Sequence, residues 1–304
     1  MPTLRKHLDW HVKGRAHRVV ARAVLRTPPL PARDDGVVIF SMVGAGAVAP
    51  YLVAVKSLGR ALDRGRAVVL DDGTLRERDR AALRRHLPGV QIRELAAVGT
   101  GPYPRGGCWE RLLAILDLRA NAYVVQLDSD TVTLGALPEV AAAIRANRSF
   151  SLRGEPDSAL LGVEAFVAGL PSLDEPLHVQ HAAERAMNRL GLPPPEPRYF
   201  RGCAGFAGFA RRGTGRALAE AFSAAQAEAV GAARWASWGS EQVASNFVIA
   251  NDPDPLLLPY DRYLNYWGGA LPADARFAHF LGTRRFSGLT YLRETRRAIR
   301  RLSA

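Results

Sequence analysis

Two acidic residues at the end of an apolar segment are the residues whose types and spacing point most directly to chemistry. The uncharged segment Tyr123-Val-Val-Gln-Leu127 is followed at once by Asp128-Ser-Asp130. Residues two apart on a strand point to the same face, and ligands bind at the carboxyl ends of strands in open α/β sheets. Converging carboxylates repel each other unless a cation lies between them, and Mn²⁺ and Mg²⁺ prefer oxygen ligands. The pattern predicts a divalent metal ion held by Asp128 and Asp130, with a solvated turn as the alternative for an isolated Asp-x-Asp.

A second segment near the end of the chain has residue types that suit metal and phosphate binding. It reads Arg276-Phe-Ala-His279-Phe-Leu-Gly282-Thr-Arg284-Arg285. A neutral imidazole can ligate Mn²⁺, and guanidinium groups form forked hydrogen bonds to phosphate. His279 is therefore the predicted third metal ligand. The alternative is a histidine at a strand end with solvated arginine neighbours.

A third segment, Trp238-Gly-Ser-Glu241-Gln242, places an acid directly after a Gly-Ser turn and at the start of an apolar helix. Glu241 has two interpretations. It is either an acid stabilised by the dipole of the helix N-terminus or an acid that positions a reacting hydroxyl group.

These segments lie in a chain in which apolar strands alternate with helices. Such alternation predicts an α/β fold with a doubly wound, mostly parallel sheet flanked by helices. Thr74 is a predicted N-cap of one helix. The predicted strands are Val37–Val43, Ala67–Leu70, Val90–Leu95 and Ala122–Leu127, and the predicted helices are Tyr51–Leu62, Leu75–His86 and Cys108–Leu118.

The uncharged stretch Gly36–Val55 is long enough to span a bilayer. Its glycines and Pro50 favour a buried strand, a glycine turn and the start of a helix instead. The basic N-terminus shows no apolar core followed by a cleavage site, so no secretory signal is predicted. The two cysteines, Cys108 and Cys203, are predicted to be free thiols.

The formal net charge of +12 favours anionic partners, and much of it lies at the two ends of the chain. The predicted organisation is a basic helical arm (1–35), one α/β domain (36–290) and a basic C-terminal helix (291–304). The basic ends are either solvated faces or a surface for peripheral contact with the cytoplasmic face of a membrane.

The order of these motifs resembles that of bacterial glycosyltransferases of the GT-A type, and of glycosyltransferase family 8 in particular. The resemblance covers about residues 36–290, and three departures are Glu241 in place of Asp, Arg285 in place of Lys, and Arg201 beside the family's glycine. The matching segments are Cys108-Trp-Glu-Arg111, Tyr123 to Asp130, Tyr199-Phe-Arg-Gly-Cys-Ala-Gly205, Glu241-Gln242 and His279-Phe-Leu-Gly282-Thr-Arg-Arg285.

The resemblance implies a metal-dependent transfer of a sugar from a nucleotide-sugar donor, with retention of anomeric configuration. The implied cofactor is Mn²⁺ (or Mg²⁺), bound by Asp128, Asp130 and His279. The implied catalytic segment is Glu241-Gln242. The residues implied in donor binding are Ser41, Val43, Gly44, Asp72, Arg111, Asp128, Gly205, Gly282 and Arg285.

The expected partners are a UDP-sugar donor and a glycan or lipid-linked acceptor of cell-envelope polysaccharide synthesis. The expected location is the cytoplasm, with peripheral attachment to the inner face of the membrane, and no nucleic acid partner is expected. Two other functions stay open. A sugar nucleotidyltransferase would need a basic glycine-rich loop, whereas Met42–Val48 has no Lys or Arg. A catalytically inactive protein of the same fold, binding nucleic acid or anionic lipid, would explain the basic ends.

Overall fold

The computed structural model of the protein describes residues 4–172, 178–191 and 194–304. Residues 1–3 of the predicted basic arm lie outside the described residues. Helices and strands alternate along most of the chain. The helices are α1 (Leu4–Ala21), α2 (Val48–Leu62), α3 (Glu77–His86), α4 (Trp109–Leu118), α5 (Pro138–Arg145), α6 (Val163–Ala168), α7 (Val179–Ala186), α8 (Gly215–Val230), α9 (Ala232–Trp235), α10 (Ser240–Ala250) and α11 (Thr290–Ser303).

The strands are short, and the longest of them are almost entirely buried. They are β1 (Val37–Val43), β2 (Arg66–Asp71), β3 (Gln91–Glu94), β4 (Tyr123–Leu127), β5 (Thr131–Thr133), β6 (Phe150–Arg153), β7 (Leu161–Gly162), β8 (Arg198–Tyr199), β9 (Gly202–Phe209), β10 (Leu256–Leu257), β11 (Tyr263–Asn265) and β12 (Phe277–His279).

The described chain forms two compact units. The first consists of Met1–Glu94, Leu127–Ala141 and Pro259–Ala304, and the second of Leu95–Gln126 and Ala142–Leu258. Each unit combines strands with flanking helices. The predicted boundaries of a single domain at 36–290 stay a prediction.

The first unit contains two sets of paired strands. Strands β1, β2 and β3 lie side by side and run parallel. A smaller sheet has the order β11-β12-β5, in which β12 runs parallel to β11 and antiparallel to β5.

All four predicted strands and all three predicted helices of the first 127 residues are present, with ends shifted by at most three residues.

The uncharged stretch from Gly36 to Val55 forms β1, a short turn and the start of α2, as its glycines and Pro50 predict. None of the helices in the described part of the chain is both long and apolar enough to cross a membrane.

The prediction that Thr74 caps a helix is wrong. Helix α3 begins at Glu77, where the Asp79 carboxylate accepts the Arg76 backbone N–H at 3.1 Å. Thr74 instead accepts a hydrogen bond from the Ala45 backbone N–H at 2.9 Å, through its hydroxyl group. Its side chain therefore fixes the turn after β1 and not the helix.

In the second unit the strands have the order β10-β6-β9-β4. Strand β10 runs parallel to β6, whereas β6 and β9 are antiparallel, with a register shift between Ser151 and Leu152.

A fully buried ion pair anchors this unit, because Arg119 Nη2 lies 2.5 Å from Asp252 Oδ2 and both side chains are 0% exposed. Both cysteines are free, as predicted; Cys203 is buried and Cys108 half-buried.

The two basic ends of the chain are helical and pack against each other within the first unit. The His17 ring of α1 stacks on Tyr291 with the ring centroids 3.8 Å apart, and His17 Nε2 lies 2.9 Å from Thr295 Oγ1 of α11. The described part of the N-terminal arm is therefore a packed helix.

Candidate functional site

The pairing of β5 with β12 brings the three predicted metal ligands together. Strand β5 begins directly after Asp128-Ser-Asp130, and its first residue, Thr131, lies opposite His279 at the end of β12. The Phe280 backbone N–H donates to the Asp130 carbonyl oxygen at 2.8 Å and extends this pairing by one step. Side chains distant in sequence therefore converge because the antiparallel ladder has this register.

The distances within the cluster suit a single ion. His279 Nε2 lies 3.2 Å from Asp130 Oδ1 and 4.0 Å from Asp128 Oδ2, and one ligand atom from each residue falls within 4.8 Å of the others. Asp130 and His279 are mostly buried, whereas Asp128 is about a third exposed. Two carboxylates and an imidazole are a donor set that fits Mn²⁺ or Mg²⁺, with solvent access on the Asp128 side.

Arg285 contacts the same cluster. Its Nη2 donates to Asp130 Oδ2 at 2.6 Å, and its Nε donates to the Gly282 carbonyl oxygen at 3.1 Å. Gly282 has a φ of +49°, a left-handed conformation that favours glycine. This short turn holds the guanidinium group beside the carboxylates.

Charge outweighs burial at Asp130. Burial alone would raise the pKa of this carboxyl group, but His279 and Arg285 hold the Asp130 pKa below its ordinary value. Asp130 is therefore a carboxylate at neutral pH, as a metal ligand must be.

Asn265 is a residue of the site that sequence reasoning missed. It pairs with His279 in the register of β11 and β12, and its Oδ1 lies 3.1 Å from His279 Nδ1. An amide oxygen can only accept, so Nδ1 is the donor and Nε2 faces the two carboxylates. A partner of this kind fixes the orientation of a ligating histidine. Only the strand pairing reveals it, because Asn265 stands in a three-residue strand without a motif.

The predicted nucleotide-binding residues at the ends of β1 and β2 lie close together. Asp72 Oδ1 accepts from the Thr74 backbone N–H at 2.9 Å and from the Thr74 hydroxyl at 2.6 Å. A Cβ on Gly44 would lie 2.1 Å from Asp72 Oδ2, so the glycine makes room for the carboxylate. Asp72 is exposed, whereas the side chains of Ser41 and Val43 are buried. Asp72 and the Gly44 backbone are thus the groups that face solvent here.

The remaining predicted site residues lie in the second unit. Arg111 on α4 and Glu241 at the start of α10 form an ion pair, with Nη2 2.9 Å from Oε2. Both side chains are buried, at 7% and 2% exposure. The sequence predicted separate roles for these two residues and missed the pair that joins α4 to α10.

Gln242 and Gly205 are also held within the second unit. Gln242 Oε1 accepts the Ala204 backbone N–H at 3.1 Å, so Gln242 fixes the middle of β9, where Gly205 is buried. Gly202, two residues before Ala204 on the same strand, has no room for a side chain. A Cβ there would lie 2.6 Å from Asn246 Oδ1 of α10.

Comparison with known proteins identifies the fold. One solved structure that matches is that of the galactosyltransferase LgtC in complex with donor and acceptor sugar analogues, at 15% identity and a TM-score of 0.52, covering 88% of this chain and 96% of that one. An active-site mutant of LgtC matches at 14% identity and a TM-score of 0.53, covering 85% and 94%. The fold is that of the GT-A glycosyltransferases.

The bifunctional glycosyltransferase WbbM in its apo form also matches, at 17% identity and a TM-score of 0.51. The match covers 90% of this chain but only 52% of WbbM, so the chain spans about half the length of that protein. No family model matches the chain, and no curated protein does. The predicted GT-A fold is confirmed, and membership of family 8 stays a prediction.

Proposed function

We propose that the protein is a metal-dependent glycosyltransferase that moves a sugar from a nucleotide-sugar donor to a glycan or lipid-linked acceptor. The observation that carries this proposal is the convergence of Asp128, Asp130 and His279 within 4.8 Å on a GT-A fold. The complex of LgtC with donor and acceptor sugar analogues supports the substrate class by analogy. A UDP-sugar is the donor we expect.

The residues of the cluster have distinct tasks in this proposal. Asp128, Asp130 and His279 would hold Mn²⁺ or Mg²⁺, which when bound supplies positive charge to the diphosphate leaving group. Asn265 keeps the His279 ring in place through Nδ1. Arg285 binds the diphosphate and neutralises charge as the glycosidic bond to it breaks. The acceptor hydroxyl attacks the anomeric carbon, and its proton passes to a base or to water.

The residues of the second unit have roles that rest on the resemblance to family 8. Glu241 and Gln242 would position hydroxyl groups of the reacting sugars, and Arg111 would contact the donor. Retention of the anomeric configuration rests on the same resemblance. The ion pair between Arg111 and Glu241 supports a positioning role for both, because each holds the other's orientation.

Peripheral attachment to the inner face of the membrane is part of the proposal. Helix α1 exposes Val12 (57%) and Val19 (68%), which are about two helical turns apart and hence lie on one face. Arg15, Arg18 and Arg22 are exposed on the same helix and its continuation. Apolar side chains among arginines suit the headgroup region of an anionic membrane. If Arg15→Gln and Arg22→Gln together leave binding to phosphatidylglycerol vesicles unchanged, this attachment is ruled out.

A donor screen tests the central proposal. The purified protein would be titrated with UDP-, GDP-, ADP- and CMP-sugars, with and without Mn²⁺, beside the Asp130→Ala variant. Metal-dependent binding or slow hydrolysis of one donor, lost in the variant, is the expected result. If no nucleotide sugar binds, while nucleic acid or lipid binds tightly and in a salt-sensitive manner, the protein is a basic binding protein on a transferase fold.

A further inference from the structure

An exposed tryptophan close to Asn265 in the chain has no role in the proposed transfer of the sugar. Trp267 lies two residues after Asn265, and its side chain is 53% exposed. Two residues of extended chain span at most about 7 Å, so its backbone is a near neighbour of the residue that holds His279.

The strand geometry places Trp267 on the same side of the small sheet as His279. The Tyr266 backbone N–H donates to the His279 carbonyl oxygen at 2.8 Å, so the pairing of the two strands continues past the end of β11. Side chains alternate between faces along a paired segment. Tyr266 is buried and packs on Phe280 with the ring centroids 5.0 Å apart. Asn265 and Trp267 therefore share the opposite face, which is the face of His279.

The ring of Trp267 is held in a fixed position. Its indole Nε1–H donates to the Tyr260 hydroxyl at 3.1 Å, so the polar group of the ring has a hydrogen-bond partner. The chain that follows is anchored at Gly269, whose carbonyl oxygen accepts from the hydroxyl groups of Tyr266 and Thr290, each at 3.1 Å. Gly268 and Gly269 both have positive φ values, +121° and +83°, and complete a tight turn. The exposed part of the ring therefore belongs to a rigid surface.

We propose that Trp267 is a stacking platform for a pyranose ring of the acceptor, next to the metal cluster; this inference rests on the proposed glycosyltransferase function. A pyranose presents a flat face of C–H groups, and a fixed indole offers apolar area to it without loss of side-chain freedom on binding. The nucleoside of the donor is expected instead at Asp72 and Gly44, at the ends of β1 and β2. The acceptor sugar is therefore the partner that the Trp267 ring serves.

The test measures sugar binding directly, without metal or donor. Saturation-transfer NMR would be recorded for methyl β-D-glucopyranoside, methyl β-D-galactopyranoside and lactose with the unmodified protein, Trp267→Ala, Trp267→Phe and Trp238→Ala. Trp238 is a matched control because it is also exposed, at 70%, but lies in the second unit against His178. Because the Trp267 ring is half exposed, its removal should leave the melting temperature close to that of the unmodified protein, which shows that the variant is folded.

We expect saturation on the axial C–H protons of at least one sugar, an affinity about tenfold lower in Trp267→Ala, and most of the affinity retained in Trp267→Phe and Trp238→Ala. The proposal is overturned if no sugar binds the unmodified protein, if Trp267→Ala binds like it, or if Trp238→Ala loses as much.

A parallel titration with UDP and Mn²⁺ separates this proposal from the proposed function. UDP affinity should not change in Trp267→Ala. A loss of UDP affinity with unchanged sugar binding would assign the ring to the donor and overturn the acceptor proposal. Absence of UDP binding in every protein, together with sugar binding that depends on Trp267, would overturn the transferase proposal and leave the sugar platform in place.

Discussion

Arg285 donates a hydrogen bond of 2.6 Å to Asp130, the carboxylate whose other oxygen lies 3.2 Å from His279. The guanidinium group therefore neutralises an acid that is proposed to ligate a metal ion. The same group is proposed to bind the donor diphosphate. A metal ion and Arg285 would compete for the Asp130 carboxylate in the nucleotide-free protein. When the donor binds together with the metal ion, its diphosphate would offer Arg285 a second anionic partner.

Replacing Arg285 should have opposite effects on metal and nucleotide binding. In Arg285→Gln, Mn²⁺ should bind the nucleotide-free protein about tenfold more tightly, because a competing positive charge is gone. UDP should bind the Mn²⁺-loaded protein about tenfold more weakly, because a charged hydrogen bond to phosphate is lost. Calorimetric titrations of Mn²⁺ and of UDP would measure both constants. Arg284→Gln, the exposed neighbour, is the control, and a fall in Mn²⁺ affinity in Arg285→Gln would contradict the competition.

Gly44→Ala should weaken donor binding while leaving the fold intact. The new Cβ would lie 2.1 Å from Asp72 Oδ2, so the carboxylate must leave its position in the turn. Gly46→Ala is a matched control two residues away, because nothing lies within 4 Å of a Cβ there. We expect UDP affinity to fall about tenfold or more in Gly44→Ala, as when one charged hydrogen bond is removed, and to stay unchanged in Gly46→Ala. Equal affinity in the two variants would remove Asp72 from the nucleotide site.

The sequence predicts the elements that carry strong local signals. Strand β4 is a continuous apolar run ended by two acids, and the turn before α2 is marked by glycines and Pro50, so both could be predicted. The start of α3 could not be predicted. Thr74 was the expected cap, whereas in the structure Asp79 accepts the Arg76 N–H at the start of the helix. Local sequence propensity does not determine which of several nearby polar side chains caps a helix.

The sequence predicts the three candidate metal ligands but not the residues around them. Asp128, Asp130 and His279 belong to recognisable segments, and residue type alone indicates their chemistry. Asn265 has no such segment, because its contact with His279 depends on the pairing of two three-residue strands. The ion pair of Arg111 with Glu241 likewise depends on how α4 packs against α10, which periodicity within either helix does not specify.

Removing either partner of the Arg111–Glu241 pair should be costly, and the two losses should not add. Truncating one partner of a buried ion pair leaves an uncompensated charge, at a cost of about 3–5 kcal/mol. We therefore expect Glu241→Ala and Arg111→Ala each to lower the free energy of unfolding by about that amount. The double variant should lose less than the sum. Urea denaturation of the four proteins measures the coupling, and additive losses would show that the pair contributes little.

A conservative substitution at Glu241 tests its role in the chemistry. Glu241→Gln keeps the size of the side chain and removes its charge. If Glu241 acts beside the reacting sugar, donor hydrolysis in Glu241→Gln should fall about 100-fold or more at unchanged Mn²⁺ affinity. Unchanged turnover with Mn²⁺ binding intact would leave Glu241 a structural residue and remove it from the proposed catalytic segment.

Acidification should weaken the fold through His17. Burial, and then the charges of Arg285 and Arg18, lower the His17 pKa from 6.5 to about 4. Between these two values the unfolded chain binds a proton at His17 that the folded chain does not, so stability rises with pH across this window and is lost as pH falls. The shift corresponds to about 3 kcal/mol at most.

The His17 contribution can be isolated by substitution. The free energy of unfolding would be measured in urea at several values between pH 4 and 7 for the unmodified protein, His17→Gln and His11→Gln. His17→Gln can still bond to Thr295 but cannot titrate, so its stability should fall less on acidification. Other titrating groups act equally in all three proteins and cancel in the comparison. His11, exposed on the same helix, is the control. If both variants show the pH dependence of the unmodified protein, His17 is not the buried group that couples packing of α1 against α11 to pH.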